Sequence, residues 1–117
     1  MISGIGLDLV ELPRIRALYE RSPSFAKRIL TEEELAVFET LKNNRKMEYL
    51  AGRFSAKEAF SKAMGTGIGK TVSFQDIQVL NDESGKPFFV TNMIHNKIHL
   101  SITHTEHYAA AQVIIES

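Results

Sequence analysis

Two carboxylates in this chain occupy positions where a carboxylate is costly, and a lysine stands one helical turn from one of them. From about Arg45 to Met64 the pattern is helical. At about 100° per residue, Met47, Leu50, Ala51 and Phe54 define an apolar face, and Glu58 falls near its centre. A carboxylate there needs a cation or hydrogen bonds to compensate it. Lys62 follows at the favourable Glu-to-Lys spacing, so an ordinary Glu58–Lys62 ion pair near the helix end is one reading. Asp8 is the second acid. It lies mid-strand, where Asp is disfavoured, and Gly4 and Gly6 before it on the same face leave space for another group. A plain edge-strand aspartate is the alternative. Two separated carboxylates in a chain without cysteine suit a hard cation such as Mg²⁺, whose shell water and substrate phosphate complete.

Other segments offer weaker chemistry. Gly65-Thr66-Gly67-Ile68-Gly69-Lys70-Thr71 looks like a P-loop, but the pattern requires glycine where Met64 stands, and the segment follows a helix rather than a strand. A nucleotidase is therefore rejected; these glycines either admit a ligand to the backbone or stop the helix. His104, in Ser101-Ile102-Thr103-His104-Thr105, is either an anion contact at a strand end or an exposed turn residue. His95, His99 and His107 lack zinc spacing and read as surface residues. Between Leu12 and Leu30, Arg14, Arg16, Arg21, Lys27 and Arg28 face Glu20 alone. That is either a solvated basic face or a docking surface for an acidic partner.

These residues need elements to hold them. From Ile2 to Leu12 the chain alternates, with Ile5, Leu7 and Leu9 on one face and Gly4, Gly6, Asp8 and Val10 on the other, which predicts a strand. Pro13 opens a helix carrying Ile15, Leu18 and Tyr19, which stops at Ser22-Pro23. Thr31 with Glu34 is a capping box, Glu32, Glu33 and Glu34 complement the helix dipole, and Leu35, Phe38 and Leu41 form the buried stripe. After the long helix, Gly65 and Gly67 end it. Val72 to Leu80 and Phe88 to Val90 read as strands around a turn-rich loop, and Ile98 to Thr105 and Tyr108 to Ile115 as a hairpin around Glu106-His107. A strand, then helices, then consecutive strands predicts α+β with a mostly antiparallel sheet packed against the long helix.

Composition narrows the function. At 117 residues and 13.2 kDa, the chain is a single domain over residues 1–117. Its 44% hydrophobic and 24% charged residues are those of a globular chain. Fourteen basic residues balance fourteen acidic ones, so no global field favours a nucleic acid. Cysteine is absent, which excludes disulfides, thiolate zinc sites and a cysteine nucleophile. No apolar run approaches the roughly 18 residues of a membrane span, and Asp8 and Glu11 spoil the start as a signal peptide, so a cytoplasmic protein is expected.

Three separated strings bring these features together: Gly4-Ile5-Gly6-Leu7-Asp8-Leu9-Val10-Glu11; Arg53-Phe54-Ser55-Ala56-Lys57-Glu58-Ala59-Phe60-Ser61-Lys62-Ala63 with Gly65-Thr66-Gly67; and Leu100-Ser101-Ile102-Thr103-His104-Thr105. In this order the chain resembles the short bacterial members of the 4′-phosphopantetheinyl transferase superfamily, over nearly its whole length. The resemblance implies that superfamily's fold and transfer of phosphopantetheine from coenzyme A to a serine of an apo-acyl-carrier-protein in fatty acid biosynthesis, releasing adenosine 3′,5′-bisphosphate. It implies Asp8 and Glu58 as Mg²⁺ ligands and Lys62 on the coenzyme A pyrophosphate. Arg53, Gly65, His104 and Thr105 are then candidates for the rest of coenzyme A, including its 3′-phosphate. It further implies a homotrimer with sites between subunits, for which the apolar residues on both faces of Ala109-Ala110-Ala111 and Val113-Ile114-Ile115 give some support. Arg14 and Arg21, with Phe25 and Arg28 nearby, resemble the surface that docks the carrier protein. Glu58 or a metal-bound water would serve as base for the serine, and Lys62 would offset charge on the leaving phosphate. The rival is a non-enzymatic α+β module whose basic first helix binds an acidic protein; it leaves Asp8 and Glu58 unexplained.

Overall fold

The alternation in the first residues produces strand β1 (Ile2–Glu11), and Pro13 follows in the first turn of helix α1 (Leu12–Arg21) in a computed structural model that describes residues 1–117. Helices α2 (Ser24–Ile29), α3 (Glu32–Thr40) and α4 (Asn43–Ala63) come next. The Thr31–Glu34 capping box forms: Glu34 N–H donates to Thr31 Oγ1, and Thr31 N–H donates to Glu34 Oε1 at 2.8 Å. α4 ends as the glycines require. Gly65 and Gly67 take φ of 80° and 68°, and the Thr66 and Gly67 amides turn back to the Ser61 carbonyl at 3.1 Å.

A single 3₁₀ turn (Phe74–Asp76) leads into strands β2 (Ile77–Asn81), β3 (Pro87–Thr91), β4 (Ile98–His104) and β5 (Tyr108–Glu116). The expected strand from Val72 therefore begins five residues late. Ser73 and Asp76 close a reciprocal cap, with Ser73 N–H donating to Asp76 Oδ2 at 2.8 Å, and this turn chemistry overrides the β-propensity of Val72 and Phe74. Every pairing is antiparallel. The main sheet runs β1-β5-β4 with Asp8 opposite Ala111, and β2-β3 forms a separate hairpin.

α4 lies across the sheet. A Cβ added to Gly6 would stand 1.8 Å from the Ala59 carbonyl oxygen, and one on Gly4 2.2 Å from that of Ala63. The space expected beside Asp8 for another group is thus filled by the backbone of α4. One core cluster gathers Ile15, Ile29, Phe38 and Leu50 under α1 to α3; a second gathers Phe60, Val79 and Val113 between α4 and the strands.

Two burial expectations change. α4 is enclosed on both sides, so Glu58 is not at the centre of its apolar face; it lies with Phe54 and Lys62 on the one line that stays open. In α3, Leu35 is only partly buried and Leu41 falls at the C-cap, while Glu34, read as a cap and dipole charge, is fully buried.

Candidate active site

β1 and α4 bring the two carboxylates and the lysine together. The Lys62 ammonium donates to the Leu7 carbonyl at 3.1 Å and to Asp8 Oδ1 at 3.2 Å. It pairs with Asp8 and not with Glu58, so the ordinary Glu58–Lys62 bridge does not form. Ser55 Oγ donates to the Asp8 carbonyl at 3.0 Å, which ties the strand to the helix at the level of the site. Asp8 Oδ2 is buried and has no hydrogen-bond partner. Burial, and then the neighbouring Asp8 carboxylate, hold the Glu58 carboxyl above its usual range, against the opposing charges of Lys62 and Arg14.

An orphaned carboxylate oxygen beside a second carboxylate that it disfavours is what a divalent cation would relieve. No cluster of three or more His, Cys, Asp or Glu ligands exists. A two-carboxylate donor set suits Mg²⁺, which keeps waters and takes substrate phosphate oxygens, and suits Zn²⁺ poorly. Asp8 and Glu58 fit that role.

The candidates for the rest of coenzyme A fall in two places. Arg53 and His104 line a cleft of about 330 Å³ with Arg45, Tyr49, Asn81 and Ile102. Arg53 is largely buried there: its guanidinium stacks 4.1 Å from the centre of the Tyr49 ring and donates to Asn81 Oδ1 at 2.7 Å. His104 is half exposed, with Nδ1 3.6 Å from Glu48 Oε2. Thr105 is exposed and shapes the β4–β5 turn, its Oγ1 accepting from the Tyr108 amide at 3.1 Å. Gly65 is exposed at the end of α4.

Arg14, Arg21 and Arg28 are exposed. Phe25 is not: it belongs to the core, 8% exposed and 6.2 Å from the Phe54 ring centre, so in the single chain it is no part of a surface. The resemblance put Phe25 near the docking surface, and α2 turns its ring inward.

The pairing of Lys57 with Glu34 escaped the sequence reading. Both are fully buried, with Lys57 Nζ 2.6 Å from Glu34 Oε1. Lys57 also donates to the Ile29 and Phe74 carbonyls, and the Val79 amide donates to Glu34 Oε2 at 2.6 Å. Burial pulls the Lys57 ammonium below its usual range while Glu34 opposes that shift. The available signal was spacing: Lys57 stands in the stripe Leu50, Arg53, Lys57, Phe60, where a lysine needs a partner.

A strand and a long helix joined through two glycines, with paired carboxylates at their seam, define a recognisable class. The chain belongs to the 4′-phosphopantetheinyl transferase superfamily, whose family model matches residues 4–113. A Bacillus subtilis (strain 168) protein named holo-[acyl-carrier-protein] synthase is 56% identical over 117 residues, covering 99% of this chain and 97% of its own. One of the same name from Anoxybacillus flavithermus is 56% identical over 116 residues, with 99% and 97% covered. A crystal structure of a holo-(acyl-carrier-protein) synthase from Bacillus anthracis str. Ames, in complex with CoA (3′,5′-ADP), superposes with a TM-score of 0.95 at 53% identity, covering 100% of this chain and 98% of that one. The Helicobacter pylori enzyme in complex with coenzyme A gives 0.86 at 30% identity, covering 96% and 99%.

Proposed function

We propose that this chain transfers the 4′-phosphopantetheine group of coenzyme A to a serine of an apo-acyl-carrier-protein. The serine oxygen forms a bond to the pyrophosphate phosphorus that bears pantetheine. The bond from that phosphorus to the bridging oxygen breaks, and adenosine 3′,5′-bisphosphate leaves. Full sequence coverage at 56% identity to enzymes of this name supports the activity. The observation that carries the site is the buried, partnerless Oδ2 of Asp8 beside Glu58.

Asp8 and Glu58 would hold Mg²⁺, which supplies charge neutralisation and polarisation of the phosphoryl oxygens. Lys62 is proposed to meet the pyrophosphate and offset charge on the leaving phosphate, a role its 51% exposed side chain beside Asp8 supports. Glu58 is the proposed side-chain base for the serine proton, with a metal-bound water as the alternative. Arg53, His104, Gly65 and Thr105 are proposed contacts for the nucleotide end of coenzyme A. Arg14, Arg21 and Arg28 form the proposed carrier-docking surface, with Phe25 supporting it from beneath.

The working form is proposed to be a homotrimer with sites shared between subunits. β1 supports this: Ile5, Leu7 and Leu9 are 60%, 64% and 65% exposed on a face that nothing in the single chain covers. No helix is long and apolar enough to cross a membrane, and the proposed setting is cytoplasmic fatty acid biosynthesis.

The test is loss of free coenzyme A in the presence of apo-carrier, with and without Mg²⁺. Consumption that requires both supports the reading. No consumption overturns the activity, and consumption unaffected by chelation overturns the metal.

A further inference from the structure

α2 is six residues long and has no C-terminal glycine to close it, yet it presents two basic side chains, Lys27 and Arg28, in its last turn. So short a helix does not hold itself, and its last four carbonyls have no partners within it. The Ala26 carbonyl accepts from the Leu30 amide at 2.8 Å, and two side chains from distant parts of the chain take the next four, from Lys27 to Leu30. The two N–H hydrogens of the Gln75 side-chain amide are shared among the carbonyls of Lys27 at 3.0 Å, Arg28 at 3.2 Å and Leu30 at 2.8 Å. The Lys57 ammonium takes the remaining one, Ile29, at 2.7 Å.

The two caps differ in kind. Lys57 is buried and also binds Glu34, so it belongs to the core. Gln75 is exposed, and its side chain makes hydrogen bonds only to α2. It stands on the 3₁₀ turn, which is itself anchored: Phe74 stacks on Phe54 at 5.6 Å, Thr91 Oγ1 donates to the Asp76 carbonyl at 3.0 Å, and Ser73 and Asp76 cap each other. A rigid turn therefore grips the peptide units from which Lys27 and Arg28 project.

We infer that Gln75 is a positioning residue for carrier recognition, fixing the last turn of α2 so that Lys27 and Arg28 meet an acidic protein in one orientation. This rests on the docking reading given above. Without Gln75 the exposed carbonyls take water, the core is untouched, and the two basic side chains lose their common frame. The cost then falls on orientation at encounter rather than on folding or coenzyme A binding.

The experiment compares Gln75→Ala, the pair Lys27→Ala with Arg28→Ala, and the triple variant, with KM for carrier and for coenzyme A measured separately and Tm recorded. Gln75→Ala should raise the carrier KM roughly 3- to 10-fold, leave the coenzyme A KM unchanged, and move Tm by less than about 2 °C. The Lys27/Arg28 variant should also raise the carrier KM, and adding Gln75→Ala to it should raise it no further, because Gln75 acts through those side chains. If Lys27/Arg28 matters and Gln75→Ala does nothing, the positioning role is overturned while the docking reading stands. If the Lys27/Arg28 variant leaves the carrier KM unchanged, docking at α2 falls and this inference with it. Equal rises in both KM values with a large fall in Tm mark Gln75 as merely structural and overturn the role. Should Gln75→Ala not fold, Gln75→Met keeps the side-chain length and removes the donors.

Discussion

Lys62 donates to one oxygen of Asp8 at 3.2 Å and leaves the other buried with no partner. A carboxylate held by one oxygen keeps its orientation while its second oxygen stays available. That division distinguishes this pair from a bidentate surface bridge, in which both oxygens are consumed.

Removal of either proposed metal ligand should abolish turnover in a protein that stays folded. Asp8→Ala and Glu58→Ala are each expected to lower kcat/KM by on the order of 10²-fold or more. Glu58→Gln preserves size and removes the charge, and should behave the same way. Mg²⁺ should raise the Tm of the wild type and not of the variants. Full activity in either variant at ordinary Mg²⁺ concentrations sinks the assignment.

The buried pair of Lys57 and Glu34 offers a stability test free of catalysis. Losing one partner strands the other charge, so Lys57→Ala or Glu34→Ala should each cost about 3–5 kcal/mol in urea unfolding. Replacing both by apolar residues of similar volume should cost clearly less than either single change. If the double replacement is as damaging as the sum of the singles, the pair is not a charge-compensation device.

Gly6→Ala sets side chain against backbone. Its Cβ would lie 1.8 Å from the Ala59 carbonyl oxygen, which cannot step aside without moving α4. Destabilisation at or beyond the upper end of the usual overpacking range, about 3 kcal/mol, is expected, together with loss of turnover. A Gly6→Ala protein of wild-type stability contradicts the close approach of helix and strand.

Charge reversal on α1 should act on the carrier alone. Arg14→Glu or Arg21→Glu is expected to raise the carrier KM and leave the coenzyme A KM nearly unchanged. The wild-type carrier KM should rise with salt, since a Debye length of about 8 Å at physiological ionic strength screens exposed pairs. If both reversals leave the carrier KM unchanged, this face is not the docking surface.

The uncovered face of β1 should be closed by other copies of the chain. Sedimentation at assay concentration should give a trimer, and Leu7→Glu should shift it toward monomer with loss of activity. An active monomer of the wild-type chain refutes shared sites.

Local chemistry was legible in the sequence, and long-range geometry was not. Thr31 with Glu34, Pro13, and the glycines after Ala63 announced their turns because caps and breakers act within a few residues. Asp8 announced itself because an acid breaks a strand pattern. Glu58 was noticed for a flawed reason: α4 is enclosed on two sides, so its apolar face is wider than one stripe and the exposed line passes through the acid. Glu34 was read as a dipole charge because its partner Lys57 is 23 positions away in sequence. Phe25 entered through the resemblance alone, and the sequence hides the direction in which α2 turns its ring.

The glycine seam between β1 and α4 has a dynamic consequence. With main chain lying directly on main chain at Gly4 and Gly6, no rotamer intervenes between the strand that carries Asp8 and the helix that carries Glu58. Opening that seam means separating a strand from a helix along the turn between Ala59 and Ala63, which couples the event to unfolding of the whole unit. Amide protons on the inner stretch of β1 and on the C-terminal half of α4 should therefore exchange with solvent at one common, slow rate, while those of the β2–β3 hairpin exchange independently and sooner. The two main-chain positions that carry the carboxylates are therefore spaced by backbone packed on backbone, with no core side chain between them to repack.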